Sequence, residues 1–338
     1  MSRSTACCLL GAGYSFVAGL PLAKDIFDTD VIVFSQGAEE RFDKVWEDYT
    51  TWREKNPSLA SELYLVELFE GDLDLTRPPF SWAVELVAAV LATPRGDDAK
   101  GILGRYHGRI TQSSWCSLHV YFFSNILRLF GDSSVVTTNY DLLIERSLRH
   151  RPMKRVFGPG FYYGGIERPQ VLEGLARPFK DSQRFVQLEG ALAVYKLHGS
   201  LNWSIEKGRI RMYQDMRPAF RHGGTAAIVP PIPEKKAPPW LLTIWKAAEQ
   251  ELSSADVWIV CGYSLPDYDR SIHELLANAA GSAKKRIFIM DPLSEDLATK
   301  FQRIASFAEV IPLRGLPEGV EDLFETIKCP EVIDSTAK

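Results

Sequence analysis

Gly11, Ala12, Gly13 and Ser15 stand in the stretch CCLLGAGYSFVAGLP, where an apolar run meets two glycines flanking an alanine. Glycine lets main-chain N–H groups approach a phosphate closely, and a helix starting there favours its charge. These four residues are a candidate phosphate cradle, although the spacing is not GxGxxG and a bare strand-to-helix turn would use the same glycines. Three further stretches share the design. VVTTNYD sets Asn139 and Asp141 after an apolar run, YKLHGSLNW sets His198, Gly199 and Ser200, and VWIVCGYSLPD sets Gly262 and Ser264. A histidine, ordinarily titrating near neutrality, suits proton transfer. Each also has a plainer reading: His198 as a satisfied buried histidine, Asn139 and Asp141 as caps of the helix DLLIERSL, and Gly262 with Ser264 as a turn.

These stretches matter because of the elements that deliver them. Short apolar runs recur: ACCLL (6–10), SVVTT (134–138), AVYKL (193–197), AAIVP (226–230), DVWIVC (256–261), RIFIM (286–290) and AEVIPL (308–313). They are apolar throughout, as strands buried on both faces of a parallel sheet are. Helical patterns follow two of them, DYDRSIHELLANAA with Asp267 or Asp269 as cap and SEDLATKFQRIA with Ser294 as cap. Strand–helix alternation predicts a doubly wound, mainly parallel α/β fold, whose ligands bind at the carboxyl edge of the sheet. The four polar strand ends would then face one crevice.

The segment 31–130 breaks this rhythm with charged, tryptophan-rich helical stretches, Trp82, Leu86 and Val90 on one face and Leu118, Phe122, Ile126 and Leu129 on another. It reads as a helical insertion, leaving 1–30 and 131–338 as the α/β domain. The stretch 151–190 is irregular and rich in glycine and aromatics, and its Phe161, Tyr162, Tyr163 and Gly164 read mostly as packing. IEKGRIRMYQD suggests a small hairpin, and PPIPEKKAPPW a stiff connection.

The composition, 338 residues with 46% hydrophobic, 24% charged and a net charge of −4, allows a large core and argues against a nucleic-acid-coating protein. The arginines between Arg146 and Arg155 read as a solvated helix end. Five cysteines without a CxxC pair signal neither zinc nor a disulfide framework; Cys7, Cys8 and Cys261 read as small buried apolar groups. His107, His119, His150, His222 and His273 have no metal-ligand spacing. With no signal peptide or membrane span evident, the chain reads as cytoplasmic.

The ordered set GAGxSxxxGxP, TxNxD, KLHGS and GYSL resembles the sirtuin family, and more narrowly the zinc-free sirtuin-like NADase effectors of prokaryotic anti-phage defence. The resemblance covers about 5–30 and 134–315. It implies a Rossmann-like domain that takes NAD+ as substrate without a metal. Gly11, Ala12 and Gly13 would meet the NAD+ phosphates with Ser15 nearby, and Asn139 the nicotinamide ribose. Asp141 would shape the nicotinamide pocket, and His198 would be the catalytic histidine. Gly262 and Ser264 would lie along the phosphates or the adenine-side ribose, and Asp291 would meet the adenosine ribose.

The chain departs from sirtuin deacylases in three ways. It has no four-cysteine module, no visible acyl-peptide segment, and Leu22-Ala23-Lys24 where an acidic-aromatic-basic triplet would follow the Gly-x-Pro. The expectation is therefore NAD+ hydrolysis to nicotinamide and ADP-ribose in abortive infection, with a cyclic product as a variant. Alternatives are a zinc-free deacylase, an ADP-ribosyltransferase, or a non-catalytic sensor of NAD or ADP-ribose. A homo-oligomer, or a regulatory or sensor partner from the same operon, would restrain the activity; no membrane or nucleic-acid partner is expected.

Overall fold

The computed structural model describes residues 4–27, 38–69, 77–92, 117–130, 132–149, 161–166, 170–173, 184–185, 192–206, 209–213, 226–231 and 237–328. The chain opens with β1 (Ala6–Leu10), α1 (Ala12–Phe16) and a 3-10 turn (Ala23–Asp25). Among the described residues four helices follow: α2 (Ala38–Lys55), α3 (Leu63–Phe69), α4 (Phe80–Ala92) and α5 (Ser117–Leu129). Then come β2 (Ser133–Thr137), α6 (Leu143–Arg149), β3 (Phe161–Tyr163), β4 (Gln170–Glu173), β5 (Arg184–Phe185) and β6 (Leu192–Lys196). Next are β7 (Gly199–Glu206), β8 (Arg209–Tyr213), β9 (Ala226–Ile228) and α7 (Pro239–Ser254). The chain continues through β10 (Val257–Cys261), α8 (Arg270–Ala280), β11 (Arg286–Met290), α9 (Ser294–Ile304), β12 (Glu309–Leu313) and α10 (Glu318–Lys328).

The main sheet runs β12-β11-β10-β1-β2-β6-β3, and every pairing is parallel. From β1 the chain winds outward through β2 and β6, then returns to β10 on the other side, so winding reverses between β1 and β10. This is the doubly wound, Rossmann-like α/β architecture expected. Its inner strands bury both faces, as the unbroken apolar runs require: every residue of β1 and of β10 is buried. The run AEVIPL is corrected here: β12 lies at the sheet edge, with Glu309 exposed and, of the strand's residues, only Leu313 buried. The flanking helices offer one apolar stripe each; in α8, Ile272, Leu275, Leu276 and Ala279 recur at helical spacing and are buried. Cys7, Cys8 and Cys261 are core residues, and burial pushes the Cys7 thiol up to about 12. Cys116 and Cys329 lie outside the described residues.

A second sheet, β5-β4-β8-β7-β9, grows from the end of β6. β7 and β8 form the expected hairpin, with Glu206 opposite Arg209. AAIVP is corrected here: β9 pairs antiparallel with β7 in this second sheet and is not a strand of the parallel one. A three-residue apolar run looks alike in either sheet, and its partner decides. The edge strand β3 is fully buried beside β6, so its aromatics do pack.

The helices between β1 and β2 carry the expected apolar faces. Leu86 and Val90 are buried in α4, and Phe122 and Ile126 in α5. His119 on α5 sits edge-on to Tyr14, ring centroids 4.5 Å apart, with Nε2 2.9 Å from the Tyr14 carbonyl oxygen, so this histidine is structural. His107, His150 and His222 lie outside the described residues.

Candidate functional site

Register places the site. Leu10 stands beside Cys261 and Thr137, Thr137 beside Lys196, and Cys261 beside Met290. The strands are parallel, so the residues just beyond these five share one sheet edge: Gly11, Asn139, His198, Gly262 and Asp291.

At the β1–β10 junction, main chain meets main chain. The Gly11 N–H donates to Cys261 O at 3.1 Å, the Gly13 N–H to Gly262 O at 2.8 Å, and the Gly262 N–H to Met290 O at 3.2 Å. A Cβ on Gly11 would lie 2.6 Å from the Gly262 oxygen, and one on Gly262, where φ is +61°, 2.1 Å from the Tyr14 nitrogen. The glycines are thus required by the close approach of two strand ends, and two of the turn's amides are engaged within the protein.

One strand over, side chains take over. The Asn139 amide nitrogen donates to Gly11 O at 2.9 Å and to Ser15 Oγ at 3.0 Å. The Ser15 hydroxyl donates to Asp141 Oδ2 at 2.8 Å. Both N–H groups of Asn139 are therefore engaged, and its amide oxygen is what it can offer a ligand, as an acceptor. Asp141 also caps α6: its Oδ1 accepts the Leu143 N–H at 2.8 Å. The two roles coexist because a carboxylate has two oxygens. Lys196, at the end of β6, is wholly buried and donates to Asp141 O at 2.5 Å and to Glu145 Oε1 at 2.9 Å. The buried ion pair fixes the backbone that carries Asp141.

His198 follows two residues after Lys196 and is 3% exposed. Tyr140 and Trp245 stand edge-on to its ring, centroids 6.2 and 6.1 Å away, and Trp245 Nε1 donates to Leu197 O at 2.7 Å. Its Nε2 lies 3.9 Å from Asp269 Oδ2, a carboxylate that also accepts the Tyr263 hydroxyl at 2.9 Å. The loop from Gly262 to Asp269 delivers that carboxylate. It passes through Leu265, a buried non-glycine residue at φ +49°, a strained conformation that surrounding packing must enforce.

Asp269 corrects a sequence expectation. It precedes α8 but makes no side-chain cap bond; its carboxylate turns inward to Tyr263 and His198. Ser294 likewise is not a cap but the first residue of α9, and the cap position falls to Leu293. Asp291 shapes that turn: its Oδ1 accepts the Leu293 N–H at 2.9 Å, and burial raises its carboxyl above the usual range. Ser264 is exposed, and neither it nor Asp291 has a bond to the Asn139 or His198 clusters among the described residues. Lys196, Trp245 and Asp269 were not assigned to the site from sequence. Lys196 lies within KLHGS, so only that motif carried a local signal.

A parallel sheet wound both ways from β1, with buried polar groups gathered at its carboxyl edge, defines a Rossmann-like α/β protein. The SIR2-like domain family matches residues 133–308, more than half of the chain, from β2 through α9, and the chain belongs to that family. Family membership ties it to NAD-related chemistry. No curated protein sequence matches the chain. Among the described residues no three histidine, cysteine or acidic side chains group as metal ligands, and no helix is long and apolar enough to cross a membrane.

Proposed function

We propose that the residues gathered at this sheet edge hydrolyse NAD+ to nicotinamide and ADP-ribose. The observation that carries this reading is His198, buried at the end of β6 with Nε2 3.9 Å from Asp269, on the same sheet edge as Asn139. Breaking the nicotinamide–ribose bond builds oxocarbenium-like charge on the ribose. Nicotinamide is cationic in NAD+ and leaves neutral, so no acid need protonate it. The reaction needs a base for the attacking water and an acceptor to hold a ribose hydroxyl or that water. His198 fits the first need. It takes one proton from water as the oxygen bonds to the ribose carbon, and Asp269 stabilises the imidazolium that results, as a carboxylate does in a catalytic triad. The Asn139 amide oxygen fits the second, with Ser15 and Asp141 holding its orientation. The phosphates are assigned to the Gly11–Ala12–Gly13 turn and to Gly262 and Ser264, and the adenosine ribose to Asp291.

Incubation with NAD+ in oxygen-18 water tests this. Hydrolysis predicts free nicotinamide and ADP-ribose carrying the heavy oxygen. A cyclic product without it, O-acetyl-ADP-ribose formed from an acetylated peptide, or NAD+ left intact both by the purified protein and by lysate of phage-infected cells that carry it, would each overturn hydrolysis. The effector role follows from the anti-phage resemblance. An unrestrained NADase would kill its host, so the segment 31–130, read as an insertion, self-association or an operon partner is proposed to hold the activity in check. NAD+ in bacteria carrying the gene should fall only after phage infection; a fall without infection, or none with it, would count against that role.

A further inference from the structure

Glu62 lies outside every motif considered above, in the helical stretch between β1 and β2, immediately before α3. It is a carboxylate only 8% exposed, and a buried charge of this kind calls for partners. Its neighbour Ser61 is fully buried and ties this point to the turn after Gly19–Leu20–Pro21. The Ser61 N–H donates to Lys24 O at 3.3 Å, its hydroxyl donates to Ala23 O at 3.2 Å, and its Oγ accepts the Phe27 N–H at 3.4 Å. Glu62 is thereby held against the α/β domain at a fixed place.

From that place it reaches the end of β2. The Tyr140 hydroxyl donates to Glu62 Oε1 at 2.6 Å, and Tyr268 and Asp269 lie within electrostatic reach of the same carboxylate. Tyr140 directly follows Asn139 and stands edge-on to His198; Tyr268 directly precedes Asp269. One carboxylate thus pins the end of β2, which carries the proposed ribose contact, beside the loop after β10, which carries the partner of His198. Hydrogen bonds to an ionisable acceptor are short and directional, so they set orientation as well as adding stability.

We propose that Glu62 is a positioning residue of this site, holding the Tyr140 hydroxyl so that Asn139 and His198 keep their mutual placement. The helical segment then supplies part of the working site, and its docking becomes a condition of activity. This rests on the NAD+-cleavage reading above.

The test compares steady-state kinetics on NAD+ and thermal midpoints for wild type, Glu62→Ala, Glu62→Gln, Tyr140→Phe and the Glu62→Ala/Tyr140→Phe pair. Glu62→Ala should lower kcat about 100-fold with KM for NAD+ within about threefold, the pattern of lost transition-state placement. Glu62→Gln keeps an oxygen for the Tyr140 hydroxyl and should recover kcat to within about tenfold of wild type. Tyr140→Phe should lower kcat by about tenfold or more, and the double variant should be no worse than Glu62→Ala, because the two act as one unit. If Glu62→Ala does not fold, Glu62→Gln and Tyr140→Phe carry the test. Wild-type kcat in Tyr140→Phe, additive losses in the pair, or no recovery in Glu62→Gln would overturn the role of Glu62 alone. Wild-type protein that neither binds nor cleaves NAD+ would overturn the NAD+ reading, and this inference with it.

Discussion

At the β1–β10 junction Gly11, Gly13 and Gly262 press main chain against main chain, whereas one and two strands away the ends of β2 and β6 are crowded with buried polar side chains. Both lie on one edge of one sheet. The first region is a matter of space, because any added atom collides. The second is a matter of hydrogen bonds and charge, because atoms can be exchanged at nearly constant volume. A substitution in the first should therefore be read out by unfolding, and most in the second by chemistry.

Lys196→Met is the exception that would sharpen this contrast. It leaves Glu145 buried with its cation removed and should cost about 3 kcal/mol or more, read from urea unfolding. Adding Glu145→Gln should return part of that loss, since no unpaired charge is then buried; a double variant less stable than Lys196→Met would break the explanation. Gly262→Ala comes next. Its Cβ would meet the Tyr14 nitrogen at 2.1 Å in a left-handed backbone, and a loss of about 2–3 kcal/mol is expected. Unchanged stability there would mean that the junction is not tight. Asp269→Asn keeps the shape and a hydrogen bond for Tyr263 while removing the charge beside His198. It should lower kcat by about 10- to 100-fold with the thermal midpoint nearly unmoved.

The smallest effect concerns pH. Burial raises the Glu62 carboxyl above its ordinary 4.5, with Asp269 adding to the rise and the Tyr140 and Tyr268 hydroxyls and His198 opposing it. A raised carboxyl favours the folded state below the unfolded value and loses that contribution as pH climbs through the folded value. The stability of wild type relative to Glu62→Gln should therefore fall as pH rises from 4.5 towards neutrality. A gap that widens over that range would contradict the burial account.

The parallel sheet was legible because its strands are short apolar runs whose ends carry glycine or polar residues, and Asp141 was legible as a cap because a cap is local. Asp269 carries the same local signal, an acid just before a helix, yet its carboxylate answers to Tyr263 and His198 instead. Nothing within a few residues separates the two cases; only the path of the strained loop through Leu265 does. Glu62 and Trp245 reach the site from 78 residues before Tyr140 and 48 residues after Leu197, through packing that no periodicity encodes. β3, β4 and β5, all in the stretch read as irregular, escaped notice because three, four and two residues are too few to show a period.

The most direct measurement is nicotinamide release from NAD+ by folded wild type, His198→Ala and Asn139→Ala, each checked for an unchanged thermal midpoint. The account predicts release by wild type, a loss of about 1,000-fold or more in His198→Ala, and about 100-fold or more in Asn139→Ala. Release at wild-type rates by a folded His198→Ala would place the chemistry elsewhere and contradict the account.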